Sequence, residues 1–250
     1  MTTKELDGRV AVVTGAGRNI GRAIALQLAA GGAAVVVNVR SNREEADSVV
    51  REIETAGGKA IAALGDVADR AADLRMAEAA VARFGRIDYL INNAAIRRES
   101  PIDAMSFDEW KEVLGVVLDG AFHCVQACLP YLRKSGAGAI VNIGGMSAHT
   151  GSKNRAHVTT AKAGLVGFTR GLAHDLAADN ITVNYLSPGL IGTPRDPSKP
   201  EPQHHSTNRT LSGRRGTPDD VAAMVRFLCG PGARYISGQS LHANGGAFLG

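Results

Sequence analysis

The segment Thr14-Gly15-Ala16-Gly17-Arg18-Asn19-Ile20-Gly21-Arg22-Ala23 follows an apolar run at 10–14 and opens a stretch of helical period. Strand, glycine-rich turn and helix in that order form a cradle for a pyrophosphate. The glycines let the chain reverse sharply and approach an anion, whose charge the free N–H groups and positive end of the helix then hold. Gly15, Gly17, Arg18, Asn19, Ile20 and Gly21 are therefore the first candidate cofactor-binding residues.

Outward from this turn, apolar runs of strand length alternate with longer segments of helical period almost to the end of the chain. The expected strands are 10–14, 34–38, 60–64, 89–92, 139–143, 182–186 and 240–243, with helices starting near Ile20, Glu44, Ala71, Phe107, Ala156 and Pro218. This predicts an α/β fold: a doubly wound, mostly parallel seven-stranded sheet with helices on both faces, one domain over 1–250. Ser106-Phe107-Asp108-Glu109 reads as a capping box, and Thr217-Pro218 as a cap followed by proline at the first helical position. The segment 193–216 breaks the pattern with Pro194, Pro197, Pro200, Pro202, His204-His205 and Arg209. A loop of that length in a compact domain predicts a substrate lid.

A hydrophobic fraction of 44% with 21% charged residues excludes a disordered chain. No apolar run approaches the ~18 residues that span a bilayer, and the first residues lack an apolar signal core, so a soluble, cytoplasmic protein is expected. Cys124, Cys128 and Cys229 show no paired C-x-x-C spacing, which supports neither a disulfide framework nor a zinc site; the first two read as small core residues. His204-His205 has no acidic or cysteine partner at ligand spacing, so no metal is expected. The net charge of +4, without a basic block or aromatic-basic stripe, points to a phosphorylated small molecule rather than nucleic acid.

These residues resemble the short-chain dehydrogenase/reductase family, whose turn reads T-G-x-x-x-G-x-G. Asn19 stands where the middle glycine would be, and asparagine tolerates left-handed backbone angles. Asp66-Val67 resembles the family's adenine contact, and Asn92-Asn93-Ala94-Ala95 its N-N-A-G. Ser187-Pro188-Gly189-Leu190-Ile191-Gly192-Thr193 resembles the segment that meets the nicotinamide, and Gly238-Gln239 through Gly245-Gly246 the C-terminal strand and its ending. The resemblance adds Asp66, Val67, Asn93, Ala94, Pro188, Gly189, Ile191, Thr193 and Lys162 to the cofactor-binding set. It also implies a small-molecule substrate, no membrane partner, and a homotetramer or homodimer built through helices near 107–134 and 156–178.

Charge selects the cofactor. An acid ending the second strand would hold a ribose 2′-hydroxyl and repel a 2′-phosphate. Here Val37-Asn38-Val39-Arg40-Ser41-Asn42-Arg43 carries none. Arg40 can pair with the phosphate through its planar fork, Arg18 can reach the same group, and NADP(H) is expected over NAD(H).

The family's chemistry rests on asparagine, serine, tyrosine and lysine, with Y-x-x-x-K on one helix and the serine thirteen residues before the tyrosine. Thr159-Thr160-Ala161-Lys162-Ala163-Gly164-Leu165 places the lysine at Lys162, which puts Val158, Gly145 and Val117 where tyrosine, serine and asparagine would stand. His157 precedes Val158, but helix neighbours point about 100° apart, so it is not expected in the tyrosine's place. Ser147, His149, Thr150 and Ser152 follow the fifth strand, where ligands bind in such sheets. The catalytic candidates are Lys162, Ser147 and His149, the last because imidazole titrates near neutrality. Three functions fit: an NADP(H)-dependent oxidoreductase with a non-standard proton donor acting on a small carbonyl or alcohol, a non-redox lyase, dehydratase or isomerase, and a catalytically silent NADP(H)-binding subunit.

Overall fold

The run Val10–Val13 (β1) is buried along its whole length, and its side chains divide between two cores: Ala11 and Val13 face one, Val12 the other. A period of two produces that division wherever helices cover both faces of a strand. The computed structural model, which describes residues 4–193 and 210–250, places β1 in a seven-stranded sheet. Its other strands are β2 (Ala34–Val39), β3 (Lys59–Leu64), β4 (Tyr89–Asn92), β5 (Ala139–Ile143), β6 (Thr182–Pro188) and β7 (Ser240–Ala243), in the order β3-β2-β1-β4-β5-β6-β7. Every pairing is parallel, so the doubly wound sheet is found as expected.

The helices divide as the strands' side chains do. On one face, α1 (Asn19–Ala30), α2 (Arg43–Thr55) and α8 (Pro218–Cys229) bury Ile24, Leu28, Val49, Ile53, Val221 and Val225. On the other, α3 (Arg70–Phe84) and α5 (Gly120–Lys134) bury Met76, Ala80, Cys124, Cys128 and Leu132. A third cluster joins Val113 of α4 (Phe107–Leu114) to Val158, Ala161 and Leu165 of α7 (Ala156–Asp175) and to Tyr185. The strand after β1 in the sheet is β4, not β2's continuation, so the chain changes direction at the β1/β4 seam. Ligands bind at such switch points, beyond the carboxyl ends of the strands.

Three local readings change. Ser106 accepts from Glu109 N at 3.1 Å, one half of the expected capping box, while the Glu109 carboxylate lies 3.4 Å from His157 Nε2 instead. Thr217 and Asp220 form the complete box. The helix starting at Phe107 runs on to Lys134 through a π-turn at Gly115–Asp119, and its 28 residues have a window of mean hydropathy 1.5. By length and composition it could cross a membrane, which corrects the sequence reading. In this fold its apolar side chains Val113, Cys124, Val125 and Leu132 are buried in the two inner cores. Pro194, Pro197, Pro200, Pro202, His204, His205 and Arg209, and with them most of the expected lid, lie outside the described residues.

Asp73 sits in the core under α5 at 1% exposure, and its Oδ2 has no hydrogen-bond partner. Burial pushes the carboxyl up to about 7; the Cys124 thiol, which hydrogen-bonds it, works in the opposite direction, and Asp69 and Asp66 add repulsion. The folded chain thus binds this proton more tightly than the unfolded one, and stability falls as pH rises from 3.8 toward 7. Asp73→Asn is expected to exceed the wild type by about 1–3 kcal/mol at pH 8, with the gap closing near pH 4 in urea titrations. A gap that does not change with pH contradicts this reading.

Candidate active site

Thr14 ends β1 with its hydroxyl in the seam between β1 and β4. It donates to Ile91 O at 3.3 Å and accepts from the backbone N–H groups of Asn93 and Ala94 at 2.9 and 3.0 Å. Asn93 returns the contact, its Nδ2 donating to Thr14 O at 2.9 Å and Gly15 O at 3.1 Å. The glycine turn is thereby fastened to the end of β4. Gly15 and Asn19 take φ of 61° and 51°, the left-handed angles expected of glycine and tolerated by asparagine. A Cβ on Gly21 would lie 2.2 Å from Gly15 O, so only glycine lets the turn close. Arg18 caps α1 in extended conformation without a side-chain cap bond, and no acid stands in the first turn. The first N–H groups of α1 therefore suit an anion such as a pyrophosphate.

A cavity of about 660 Å³ opens on this turn. Gly15, Gly17, Arg18, Asn19, Ile20, Gly21, Arg40, Asp66, Val67, Asn93 and Ala94 all line it. Asn38 closes its floor: Oδ1 accepts from Gly15 N at 3.4 Å, and Nδ2 donates to Ala63 O and Gly65 O at 3.2 and 3.1 Å. Glu45 also lines this cavity, 3.9 Å from Arg18 Nη1. The sequence reading missed that acid because it arrives on the first turn of α2 rather than on the strand end, placed there by Asn42, which accepts from Glu45 N at 3.2 Å.

A second cavity, of about 360 Å³, shares Ile20, Asn93, Ala95 and Arg97 with the first, so the two form one cleft along the strand ends. Lys162, Ser147, Pro188, Gly189, Ile191 and Thr193 line it, together with Gly145 and Val158. Met146 N donates to Pro188 O at 3.0 Å and joins its two walls. At its rim Gly192 N donates to Gly216 O at 2.8 Å and Gly216 N to Leu190 O at 2.9 Å, which pins together the two ends of the expected lid. Lys162 Nζ is buried and donates to Gly144 O at 2.6 Å. It lies 3.0 Å from where a Cβ on Gly145 would be. Burial above all, with repulsion from Arg97 and Arg155 added, lowers this amine from its ordinary value to about 7.

His149 is not brought to Lys162. Residues 147–150 form a short helix, α6 (Ser147–Thr150), in which Ser147 and Thr150, one turn apart, line the cavity. His149 points elsewhere, its ring 4.8 Å from His242, 5.5 Å from Phe248 and 5.8 Å from Tyr185, centroid to centroid. Burial and Arg170 lower its pKa. His157 is fully buried beside Glu109, and Val117 is packed in the core of α4 and α7.

Two further contributors were not foreseen. Tyr185 Oη accepts from Gly145 N at 3.0 Å, donates to Gly145 O at 3.3 Å, and occupies the space a Cβ on Gly144 would need. Burial pushes its phenol up to about 12, so it stays neutral and fixes the backbone under Lys162. Asn142 links the end of β4 to the body of α7, accepting from Asn92 Nδ2 at 2.8 Å and donating to Thr169 Oγ1 at 2.9 Å. No local sequence signal marks either one.

The model of a family described as enoyl-(acyl carrier protein) reductase matches residues 15–247. A 3-oxoacyl-[acyl-carrier-protein] reductase FabG of Staphylococcus aureus is 37% identical over 240 residues, 96% of this chain and 98% of the relative. A dehydrogenase/reductase from Sinorhizobium meliloti superposes with a TM-score of 0.92 at 35% identity, covering 99% of this chain and 98% of that one. A short-chain dehydrogenase from Burkholderia cenocepacia in complex with NADP gives 0.90 at 37% identity, covering 97% and 99%. Similarity of this extent, with the glycine turn, the Thr14–Asn93 seam and Lys162 in one cleft, makes the chain a member of the short-chain dehydrogenase/reductase family of oxidoreductases.

Proposed function

We propose that this chain is an NADP(H)-dependent oxidoreductase that interconverts a small carbonyl compound and its alcohol, with Lys162 moving the proton that a tyrosine moves elsewhere in the family. The observation that carries the reading is the unbroken cleft from the glycine turn to a buried lysine titrating near neutrality. NADP(H), when bound, supplies or accepts the hydride. The N–H groups of the Gly15–Gly21 turn hold its pyrophosphate, Asp66 and Val67 its adenine, and Asn93, Ala94 and Lys162 its nicotinamide ribose. Pro188, Gly189, Ile191 and Thr193 hold the nicotinamide end. Arg40, exposed at the mouth of the larger cavity, pairs with the 2′-phosphate, and the NADP held by the Burkholderia relative supports that choice. Glu45 works against it by drawing Arg18 away.

Val158 and Gly145 carry no group that exchanges a proton, so the substrate oxygen meets Lys162 directly, with Ser147 as the neighbouring hydrogen-bond donor. A proton-transferring group works best when its pKa lies near the working pH, and that of Lys162 does. His149 keeps no part in this scheme. The chain works in the cytoplasm as a homotetramer or homodimer. Its three buried, unpaired cysteines support the first point, and the partly exposed Phe122–Phe168 pair on α5 and α7, with ring centroids 6.4 Å apart, supports the second.

Stopped-flow oxidation of NADPH against a panel of ketones, aldehydes and oxo acids tests the reading. Turnover is expected with a subset, and Lys162→Gln should lower it ~10²–10⁴-fold. Full activity in Lys162→Gln, or no turnover across the panel, overturns it. Arg40→Ala should weaken NADPH about tenfold in fluorescence titrations while NADH is unaffected, and Glu45→Gln should tighten NADPH by a smaller factor. Equal loss for both cofactors in Arg40→Ala contradicts the 2′-phosphate assignment.

A further inference from the structure

Lys162 is 8% exposed and lines the smaller cavity, and among the described residues Gly144 O, at 2.6 Å, is its one hydrogen-bond or ion-pair partner. No acid answers it. Glu99, the acid on the same wall, is engaged by Arg155, accepting from Nε at 3.0 Å and lying 2.7 Å from Nη2. An ammonium group buried without an anion is costly, so a lysine so placed is favoured in its neutral form, and burial brings this one to about 7. A neutral amine carries two N–H hydrogens and a lone pair. Gly144 O takes one hydrogen, and no other described residue claims the second hydrogen or the lone pair. Beside the amine on the cavity wall stand Gly145 and Val158. A Cβ on Gly145 would come within 3.0 Å of Nζ, and its N–H and C=O are both bonded to Tyr185 Oη, so that side of the nitrogen is left open. Val158 presents only hydrocarbon. The space before this nitrogen, about 360 Å³, lies at the small end for ligand cavities and suits a compact molecule.

We propose that Lys162 is also a covalent site, at which Nζ, open to the smaller cavity and without an acidic partner, condenses with a small aldehyde or ketone to form an imine. The nitrogen lone pair forms the C–N bond while the carbonyl π pair moves to oxygen, and both N–H hydrogens then leave with that oxygen as water. Nothing is oxidised or reduced, and no co-reactant is needed. Once protonated, the imine draws electrons from the neighbouring carbon, which is the activation that lysine Schiff bases supply. This goes beyond hydride transfer: in that reaction Nζ gives a proton to the carbonyl oxygen, whereas here, in the chain free of cofactor, it bonds the carbonyl carbon.

Reductive trapping on the full chain freed of nucleotide tests this, with propanal and butanone as probes. Cyanoborohydride at pH 7 converts the imine to a stable secondary amine, and peptide mass mapping locates the label. The exposed amines of Lys59 and Lys111 in the same chain serve as references. At pH 7 an ordinary lysine is neutral in only about one molecule in a thousand or fewer. Lys162 is therefore expected to be labelled about tenfold or more faster than either reference with at least one probe, the advantage shrinking toward pH 10 as the exposed amines lose their protons. A smaller advantage with both probes, or no label on Lys162, overturns the inference. NADPH turnover measured on the same preparation separates the two readings: turnover without trapping removes the imine alone, and trapping without turnover removes hydride transfer alone.

Discussion

The hydroxyl of Thr14 is the point through which the two halves of the sheet are brought into register at the site. One side chain donates to β4 and accepts two N–H groups from the residues that follow it, and Asn93 answers with two bonds to the glycine turn. Without that exchange the turn after β1 and the segment after β4 would be two exposed loops with unpaired polar backbone. With it they form a rigid edge from which both cavities open. Parallel strands alone bring loops to the same end of a sheet; they do not fix loop geometry to within a hydrogen bond.

The second organising feature is electrostatic. Lys162 is held away from water by the helix that carries it and by a backbone that Tyr185 clamps from below, and two arginines stand across the cavity. Each of these conditions disfavours the ammonium form, and together they bring a lysine into the range where protons move at neutral pH. Asp73, buried between α3 and α5, shows the same physics away from the cleft: burial raises its carboxyl, but it lines neither of the two cavities. A perturbed group indicates chemistry only where a ligand can approach, and Lys162 meets that condition where Asp73 does not.

Periodicity made the fold legible. Seven apolar runs separated by helical segments leave few topologies, and the glycine turn marked the end of the sheet at which both cavities open. Lys162 was legible too, through the run of residues around it. What remained hidden depended on contacts between distant segments. Tyr185 looks like any strand residue until Gly144 and Gly145 fold over it, and Glu45 enters the larger cavity from the next helix rather than from the strand end. His149 was misjudged because sequence proximity to β5 says nothing about direction: in a single helical turn Ser147 and Thr150 share a face that His149 does not. The half-formed cap at Ser106 has a similar origin, since the Glu109 carboxylate comes to within 3.4 Å of His157 on α7, a proximity that no local motif could reveal.

The claim on which the account turns is that Lys162 exchanges its proton near neutrality within the assembled cleft. Nitrogen-15 NMR of labelled lysine side chains across a pH titration, with the signal assigned by its loss in Lys162→Gln, measures this without knowledge of the substrate. The account predicts a midpoint of about 7. A midpoint at the ordinary 10.5 would mean an amine that stays charged and serves only to hold the cofactor, and the proton would have to come from another group.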